Sequence, residues 1–500
     1  MENYMELGQN VAMTFHIVLL AVFFAVLTGI GIWGMTRTKT LGDFFLGGRK
    51  MGPWVSAFAY GTSYFSAVIF IGFAGTQGWL FGLGSLWIAA GNAFIGSMLA
   101  WLVLAKRTRR QTQNLDAMTM PGYLQERYGA KHLKPIAAAI VFLFLLPYSA
   151  SIFKGLGHLF EAVFHIPYDL ALILMIAFTG VYLILGGYFA VVVIDFIQGI
   201  FMIAGAFAMV GVFVSEAGGL PTFFADAAAG YNGHIPPEAR PSVLTVISLV
   251  FMTSFGTWGL PQMTQKFYAI KNEKVIPKAV IATTVFAAII GFSAYMVGSA
   301  AHIFFTPQTV PQGPDGRVMY DLIVPALLTE HLPEMLMALI LLFVLSASMS
   351  TLSSLVMISS SSIAIDLYPI KNDPNTGKER ATAMMRFLSL LFIIVSYFIS
   401  RFQISIIVYL MSLSWGAVSG AFAAPYIYGL YWKRATKIGA YAGLLSGLII
   451  EIVLFFALGP SRSPLSASIA ILAPFAIVPL VSLFTKPPEK PLIEKAFAPL

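Results

Sequence analysis

The sequence carries a row of small polar side chains between residues 345 and 354. Residues 347, 350, 351 and 354 are spaced i, i+3, i+4 and i+7, so on a helix they share one face. Ser350, Thr351 and Ser354 would then align their hydroxyl oxygens as a strip. Neutral hydroxyl and carbonyl oxygens suit a hard cation of low charge, whereas a divalent ion calls for carboxylates. Taken alone, such a strip is more often structural, because serines also bond back to their own helix or join neighbouring helices.

A carboxylate within an apolar run adds a charged group to this picture. Asp195 follows Val191-Val192-Val193-Ile194, near the start of a predicted membrane helix. A charge inside a membrane helix costs about 2.5–3.5 kcal/mol on insertion scales, and such residues usually have a function. We interpret Asp195 as a functional residue. The alternatives are a carboxylate wetted from the cytoplasm and a group that titrates in a proton-coupled cycle.

The elements that position these residues are membrane helices. The chain is 58% hydrophobic and 10% charged, with a mean hydropathy of +0.82, whereas soluble domains carry about 25% charged residues. A bilayer core needs roughly 20 apolar residues per helix. Thirteen runs qualify, near 12–34, 53–77, 79–105, 134–163, 168–187, 190–214, 242–268, 277–304, 334–364, 383–400, 404–430, 437–457 and 466–485. The sequence therefore predicts an all-α polytopic membrane protein whose partner is the lipid bilayer.

Basic residues in the loops predict the orientation of these spans. They follow span one (Arg37, Lys39, Arg49, Lys50), span three (Lys106, Arg107, Arg109, Arg110), span seven (Lys266, Lys271, Lys274), span nine (Lys371, Lys378, Arg380), span eleven (Lys433, Arg434, Lys437) and span thirteen (Lys486, Lys490). Because cytoplasmic loops are rich in Lys and Arg, the N-terminus is predicted outside and the C-terminus inside. The net charge of +8 is explained in the same way, without a nucleic-acid partner.

Two spans carry helix-breaking residues at corresponding positions. Span two contains Tyr60-Gly61-Thr62-Ser63, and span seven contains Phe255-Gly256-Thr257-Trp258-Gly259-Leu260-Pro261. Broken helices in matching positions of two halves indicate a transporter binding site; close helix packing at glycine is the alternative. Spans two to six (about 53–214) and seven to eleven (about 242–430) would be inverted five-helix repeats. Helices 12–34, 437–457 and 466–485 would be peripheral, giving one transmembrane transporter domain over 1–500.

Several motifs resemble those of the sodium:solute symporter family. They are Phe44-Phe45-Leu46-Gly47-Gly48-Arg49 with Gly52-Pro53, then Gly186-Gly187-Tyr188 with Asp195 and Gln198, then Met349-Ser350-Thr351-Leu352-Ser353 with Asp366-Leu367-Tyr368. They occur in order over about residues 40 to 440. The resemblance, in the proline, pantothenate and monocarboxylate branch, implies a 5+5 inverted repeat of the leucine-transporter type.

The resemblance also implies ion sites. The principal sodium site would use the carbonyls of Thr62, Phe65 and Ala347 with the hydroxyls of Ser350 and Thr351. A second sodium, found in some members, would be held by Asp195, Ser350, Ser353 and Ser354. One or two sodium ions are therefore expected, with no organic cofactor and no other metal. The chain has no cysteine, which excludes thiolate metal sites.

The expected substrate contacts are Ser66, Tyr148, Lys154, Thr253, Thr257 and Trp258. The proline branch has an acidic residue at the position of Tyr64, and Trp and Tyr at those of Thr253 and Thr257, which argues against proline. Lys154 could pair a substrate carboxylate; the alternative is a lysine that extends to the outer surface. The leading expectation is a monocarboxylate or pantothenate-like acid, with a neutral, proline-like amino acid as the alternative.

These residues predict sodium-coupled symport by alternating access in the plasma (inner) membrane, and no obligate protein partner. Proton coupling through Asp195 is the closest rival. An enzyme is not expected, because the seven histidines are scattered and form no catalytic grouping. A sensor that retains the transporter fold is a further alternative, but it would usually carry a signalling domain after the last span, where only residues 486–500 follow.

Overall fold

The structure is a computed structural model that describes residues 2–37, 45–367 and 377–499, with side chains at 13–34, 45–177, 188–367 and 383–499. Lys39, Phe44, Tyr368 and Lys371 lie outside the described residues. The helices are α1 (Glu2–Arg37), α2 (Pro53–Tyr64), α3 (68–81), α4 (86–114), α5 (Met120–Tyr128), α6 (Leu133–Phe164), α7 (Tyr168–Glu216), α8 (Leu220–His234), α9 (Val243–Ser254), α10 (Pro261–Ala269), α11 (Ile276–Phe304), α12 (Tyr320–His331), α13 (Glu334–Ser361), α14 (Gly377–Arg401), α15 (Ile407–Tyr431), α16 (Lys437–Leu458), α17 (Ser463–Leu483) and α18 (Lys490–Phe497).

Most of these helices are membrane spans. Within the described residues, eleven helical runs are long and apolar enough to cross a bilayer. One of them, Val68–Asn114, is divided at Gly82, whose φ of +52° favours glycine. The 49 residues of α7 are about twice what one crossing needs, and the sequence predicts two spans there, 168–187 and 190–214. The all-α polytopic class is confirmed.

Span two is broken, as its Gly-Thr-Ser sequence predicts. Helix α2 ends at Tyr64, and Phe65 is extended with φ −105° and ψ 124°. The chain resumes as a π-helical turn, Val68–Phe73, followed by Ala74–Phe81. The Ala67 amide at this new start donates to the Ser348 hydroxyl at 3.0 Å. The backbone groups freed by the break are thus met by a side chain of α13.

Span seven is broken in a different way. Helix α9 passes into a 3₁₀ segment, Phe255–Gly259, and Leu260 is extended with φ −83° and ψ 122°. Pro261 then opens α10, where its missing amide hydrogen costs nothing. All nine residues of α10 are buried. Lys266 therefore lies inside the bundle, and its assignment to a cytoplasmic loop was wrong.

Helix α13 (span nine) lies at the centre of the bundle. It packs against α7, α6 and α2, which places its hydroxyl strip beside the break in span two. Helices α16 and α17 pack against each other and against α15. The two broken spans and α13 together frame the candidate site.

Candidate ion and substrate site

The hydroxyl strip of α13 meets the break in span two. The Thr351 hydroxyl lies 3.3 Å from the Thr62 carbonyl and 3.1 Å from the Ala347 carbonyl. The Ser350 hydroxyl donates to Thr62 Oγ1 at 2.8 Å. Phe65, the fifth residue of the predicted site, is the extended residue of the break itself. Carbonyl and hydroxyl oxygens thus converge at membrane depth, which is a neutral oxygen site suited to a monovalent cation.

A buried lysine borders this cluster. Lys266 Nζ donates to Ser354 Oγ at 3.1 Å and lies 3.7 Å from Asp195 Oδ2. Lys266 is 1% exposed and Asp195 is fully buried. Ser354 Oγ is in turn 3.0 Å from the hydroxyl of Ser63 in α2. The ammonium is therefore inside the group of residues expected to hold a second sodium ion.

The other members of that expected second site differ in their partners. Ser350 lies beside the Asp195 carboxylate, yet within the described part of the chain neither Asp195 oxygen has a hydrogen bond of good geometry. Ser353 donates instead to the Ser350 carbonyl of its own helix at 2.8 Å. The side chain of Gln198, one turn beyond Asp195, likewise has no partner among the described residues. The Lys266 ammonium and the Asp195 carboxylate therefore lie close together, but without a hydrogen bond of good geometry between them.

An amide that the sequence analysis did not select joins the two broken spans. Asn92 Oδ1 in α4 lies 3.1 Å from the Tyr64 hydroxyl, 2.9 Å from that of Thr253 and 3.1 Å from that of Ser254. Tyr64 also donates to the Thr253 carbonyl at 2.5 Å. Asn92 belongs to a π-helical segment, Asn92–Leu99, a geometry that often marks functional positions. An amide in the middle of an apolar run is the signal that could have identified it.

The remaining predicted contacts of span seven are anchored to the same helix. The Thr257 hydroxyl donates to the Ser254 carbonyl at 2.8 Å and lies 3.3 Å from the Gly96 carbonyl, and Trp258 Nε1 donates to the Ile95 carbonyl at 3.1 Å. A Cβ on Gly96 would lie only 2.2 Å from the Tyr64 hydroxyl, so α4 can approach span two here only with glycine.

Aromatic rings close the region between the breaks. The Tyr148 ring meets Trp415 of α15 edge-on at 5.7 Å, and Tyr64 lies 6.3 Å from the same indole. Ser66, at the break in span two, interacts with the Tyr148 hydroxyl. These rings are buried. A solute reaching this region therefore requires the rings to separate.

Lys154 does not contact the other predicted substrate residues in the described contacts. Its Nζ lies 2.8 Å from Asp321 Oδ2 of α12 and donates to the Ser405 carbonyl at 2.9 Å. Both side chains of the pair are about 6% exposed. The contacts of Lys154 therefore do not favour the expectation that it binds a substrate carboxylate, because the protein supplies its own carboxylate to this ammonium.

Comparison with known proteins agrees with this geometry. The sequence model of the sodium:solute symporter family matches residues 44–447. This chain belongs to the sodium:solute symporter family. Among members of that family, the sodium/proline symporter of Staphylococcus aureus (strain JH9) is 31% identical over 443 residues, which cover 87% of this chain and 85% of the relative. The family is one of transporters rather than enzymes.

Solved structures place the fold. A Na⁺-coupled sialic acid symporter, in a substrate-bound outward-open state, superimposes with a TM-score of 0.74 at 17% identity, covering 95% of this chain and 98% of that one. Mhp1, a nucleobase-cation-symport-1 family transporter in a closed conformation with bromovinylhydantoin bound, gives a TM-score of 0.51 at 13% identity, covering 92% and 99%. The predicted leucine-transporter-type fold of this family member is confirmed.

Proposed function

We propose that this protein is a sodium-coupled symporter of a small organic solute, working by alternating access. The observation that carries the proposal is the convergence of Thr62, Ala347, Ser350 and Thr351 at the break in span two. Sodium bound there would tie α13 to span two, with the Phe65 carbonyl as the fifth ligand. The two repeats, 53–214 and 242–430, would move relative to each other while the ion and solute remain near mid-membrane.

One sodium ion per cycle is the stoichiometry we propose. A second sodium among Asp195, Ser353 and Ser354 would sit beside the Lys266 ammonium, which already lies 3.7 Å from the carboxylate and 3.1 Å from Ser354. Two like charges a few ångströms apart repel strongly in a medium of low dielectric constant. Lys266 therefore supplies the charge that a second sodium would otherwise bring.

The solute would bind between the breaks, in contact with Ser66, Tyr148, Thr253, Thr257 and Trp258. The start of α3 lies at membrane depth, and the positive dipole end of such a half-helix favours anionic groups of a substrate. A solute with a carboxylate fits this arrangement. Since Lys154 is paired with Asp321, the carboxylate would be stabilised by the helix dipole and by the sodium ion rather than by a lysine.

A monocarboxylate or pantothenate-like acid is the leading substrate class. Tyr64, where the proline branch of the family has an acidic residue, donates to the Thr253 carbonyl and so offers no charge to an ammonium group. A proline-like amino acid is the second candidate, because a relative at 31% identity is named a sodium/proline symporter. Proton coupling through Asp195 is less favoured, since Lys266 accompanies that carboxylate.

The setting we propose is the plasma (inner) membrane, with the N-terminus outside and the C-terminus in the cytoplasm, and without an obligate protein partner. Helices 12–34, 437–457 and 466–485 would flank the transport core.

The dependence of uptake on membrane potential separates these substrate classes. Transport of a monoanion with one sodium ion moves no net charge across the membrane. Transport of a zwitterion with one sodium ion moves one positive charge. One charge across 100 mV is worth about 2.3 kcal/mol, or roughly 40-fold accumulation. Uptake of carboxylates and amino acids into proteoliposomes would be measured with a sodium gradient, with and without a potassium-valinomycin potential. Sodium-dependent uptake that ignores the potential identifies the acid; uptake of a neutral solute driven by it identifies the amino acid.

Thr351→Ala tests the principal sodium site. The variant removes a hydroxyl that contacts the Thr62 and Ala347 carbonyls. If that hydroxyl is worth about 1.4–2.8 kcal/mol to the ion, the sodium concentration for half-maximal stabilisation rises about 10- to 100-fold. Sodium titration of the melting temperature of purified protein measures it. Ser412→Ala is the control, because the Ser412 hydroxyl donates to the Val408 carbonyl of its own helix. An unchanged sodium requirement in Thr351→Ala would remove the site as placed.

A further inference from the structure

Two histidines face each other outside the transport site. His234 is the last residue of α8, a short helix between spans six and seven, and His302 lies near the end of α11. Their Nδ1 atoms are 3.3 Å apart. His302 is 2% exposed, whereas His234 is partly exposed. The pair is therefore open to solvent only on the His234 side.

The second ring nitrogen of His302 is already engaged. His302 Nε2 lies 2.9 Å from the Trp79 carbonyl, to which it can only donate. In the neutral ring this leaves Nδ1 without a proton, with its lone pair directed at His234. A ligating histidine usually donates its other N–H to a carbonyl in this way, which fixes the tautomer and the ring orientation.

The distance between the two nitrogens suits a metal ion. A tetrahedral zinc ion with Zn–N bonds of about 2.0–2.1 Å holds two ligand nitrogens about 3.3–3.4 Å apart. The observed separation of 3.3 Å is within that range. The His302 ring is also held in place, because Trp79 stacks on it at 4.5 Å and Tyr231 meets it edge-on at 5.3 Å. Metal binding would therefore require little reorganisation of the His302 ring.

The electrostatic surroundings are mixed. The C-terminal end of α8, where His234 lies, carries the negative end of the helix dipole and favours a cation. Arg240 opposes it from a distance, over the Tyr231 ring at 5.2 Å. The Tyr231 hydroxyl is occupied by the Leu80 carbonyl at 3.1 Å and is not a ligand. Among the described residues no group of three or more His, Cys, Asp or Glu side chains could hold a metal.

We propose that His234 and His302 form a two-histidine site for a divalent transition-metal ion, zinc or nickel, whose remaining positions are filled by water. Imidazole is a preferred ligand of these ions, whereas sodium prefers oxygen. The site is independent of the sodium site and of the substrate. Its position gives it a mechanical consequence: α8 contacts the end of α3 through Tyr231 and the end of α11 through His302, so a bound ion joins α8 to the outer ends of spans two and eight.

Zinc binding by the purified protein tests the proposal without any substrate. Isothermal titration with zinc chloride at pH 7.5, in sodium-free detergent buffer, should show one saturable site whose occupancy raises the melting temperature and is reversed by a chelator. His234→Ala should weaken zinc binding at least tenfold, because one of two protein ligands is lost. The partly exposed position of His234 makes this variant compatible with folding.

The control is His331→Ala. His331 pairs with Glu216 at 3.1 Å and is another histidine that could attract zinc. Zinc affinity should be unchanged in this variant. Saturable binding that is lost in His331→Ala but kept in His234→Ala would overturn the proposal, as would the absence of saturable binding in the wild type. Since neither readout involves sodium or transport, a failure here leaves the symporter proposal untouched.

Discussion

Among the described residues, two Lys–Asp pairs have both side chains buried, and they are built differently. Lys154 and Asp321 approach to 2.8 Å, and the remaining groups are satisfied by the Ser405 carbonyl and the Ile407 amide. Lys266 and Asp195 are 3.7 Å apart, and Asp195 has no hydrogen bond of good geometry among the described residues. The hydrogen-bonding groups of the first pair are all satisfied by the protein, whereas the second pair leaves carboxylate oxygens without hydrogen bonds of good geometry beside the proposed sodium ligands.

The difference indicates different roles. A buried ion pair is stable only when geometry and additional hydrogen bonds offset desolvation, and the Lys154 pair meets both conditions. That pair joins α6 to α12 and to the start of α15, and we infer a structural role. The pair of Lys266 and Asp195 is longer and lacks such hydrogen bonds, and we call it the loose pair. Either member of a loose pair can exchange its partner for another ion. We therefore expect substitutions of Lys266 to change the sodium dependence of stability, and substitutions of Lys154 to leave it unchanged.

Lys154→Met should have the largest effect on stability. Removing the ammonium leaves Asp321 as an uncompensated buried charge, which costs about 3–5 kcal/mol. The melting temperature of purified protein, compared at zero and saturating sodium, should fall by the same amount in both conditions. A fall that sodium reverses would mean that this pair also belongs to the ion site.

The double variant Lys154→Met with Asp321→Asn is the control for that experiment. The asparagine removes the charge but keeps an oxygen that can accept from the Ile407 amide. Most of the lost stability should return, because no unpaired charge remains. If the double variant is as unstable as the single one, the packing of Lys154 rather than its charge stabilises this region.

Lys266→Met should have an intermediate effect that depends on sodium. Without sodium, Asp195 loses its only nearby cation among the described ion pairs and the protein is destabilised. With sodium, a second ion can take the position of the ammonium, adding about 2.7 kcal/mol at 100 times its Kd. The sodium titration of melting temperature should therefore become steeper, with a Hill coefficient approaching two instead of one.

Asp195→Asn with Lys266→Met is the matched control, since it removes both charges. This variant should retain the single-sodium response of the wild type. A wild-type sodium response in Lys266→Met alone, or a two-sodium response in the unmodified protein, would contradict the view that Lys266 takes the place of a second ion.

The sequence was sufficient for the fold, which depends on local patterns, whereas the pairing of span two with span nine at the proposed ion site was implied only by the family resemblance. Hydrophobic runs define spans, and the spacing of Ala347, Ser350 and Thr351 on one helix face is independent of the rest of the chain. The break in span two follows from its Gly-Thr-Ser sequence. These features can be predicted without knowing which helices are neighbours.

The partners of charged residues could not be predicted, because they are set by contacts between distant segments. Lys154 meets Asp321 across 167 positions, and Lys266 meets Asp195 across 71. Lys266 also follows a span, so the positive-inside pattern assigned it to a loop, whereas the 3₁₀ break and Pro261 carry the helix on into the bundle. Asn92 was missed for the same reason, since its three hydroxyl partners come from spans two and seven.

Ser354→Ala should have the smallest of these effects and sharpens the comparison furthest. Ser354 Oγ lies 3.1 Å from Lys266 Nζ and 3.0 Å from Ser63 Oγ, so it links the loose pair to span two. Its loss should cost about 1 kcal/mol and raise the half-maximal sodium concentration about fivefold. Ser353→Ala is the matched control, because that hydroxyl bonds the Ser350 carbonyl of its own helix. Equal sodium responses in the two variants would mean that Lys266 and the sodium site act independently; a response confined to Ser354→Ala would show that the loose pair and the ion share one network.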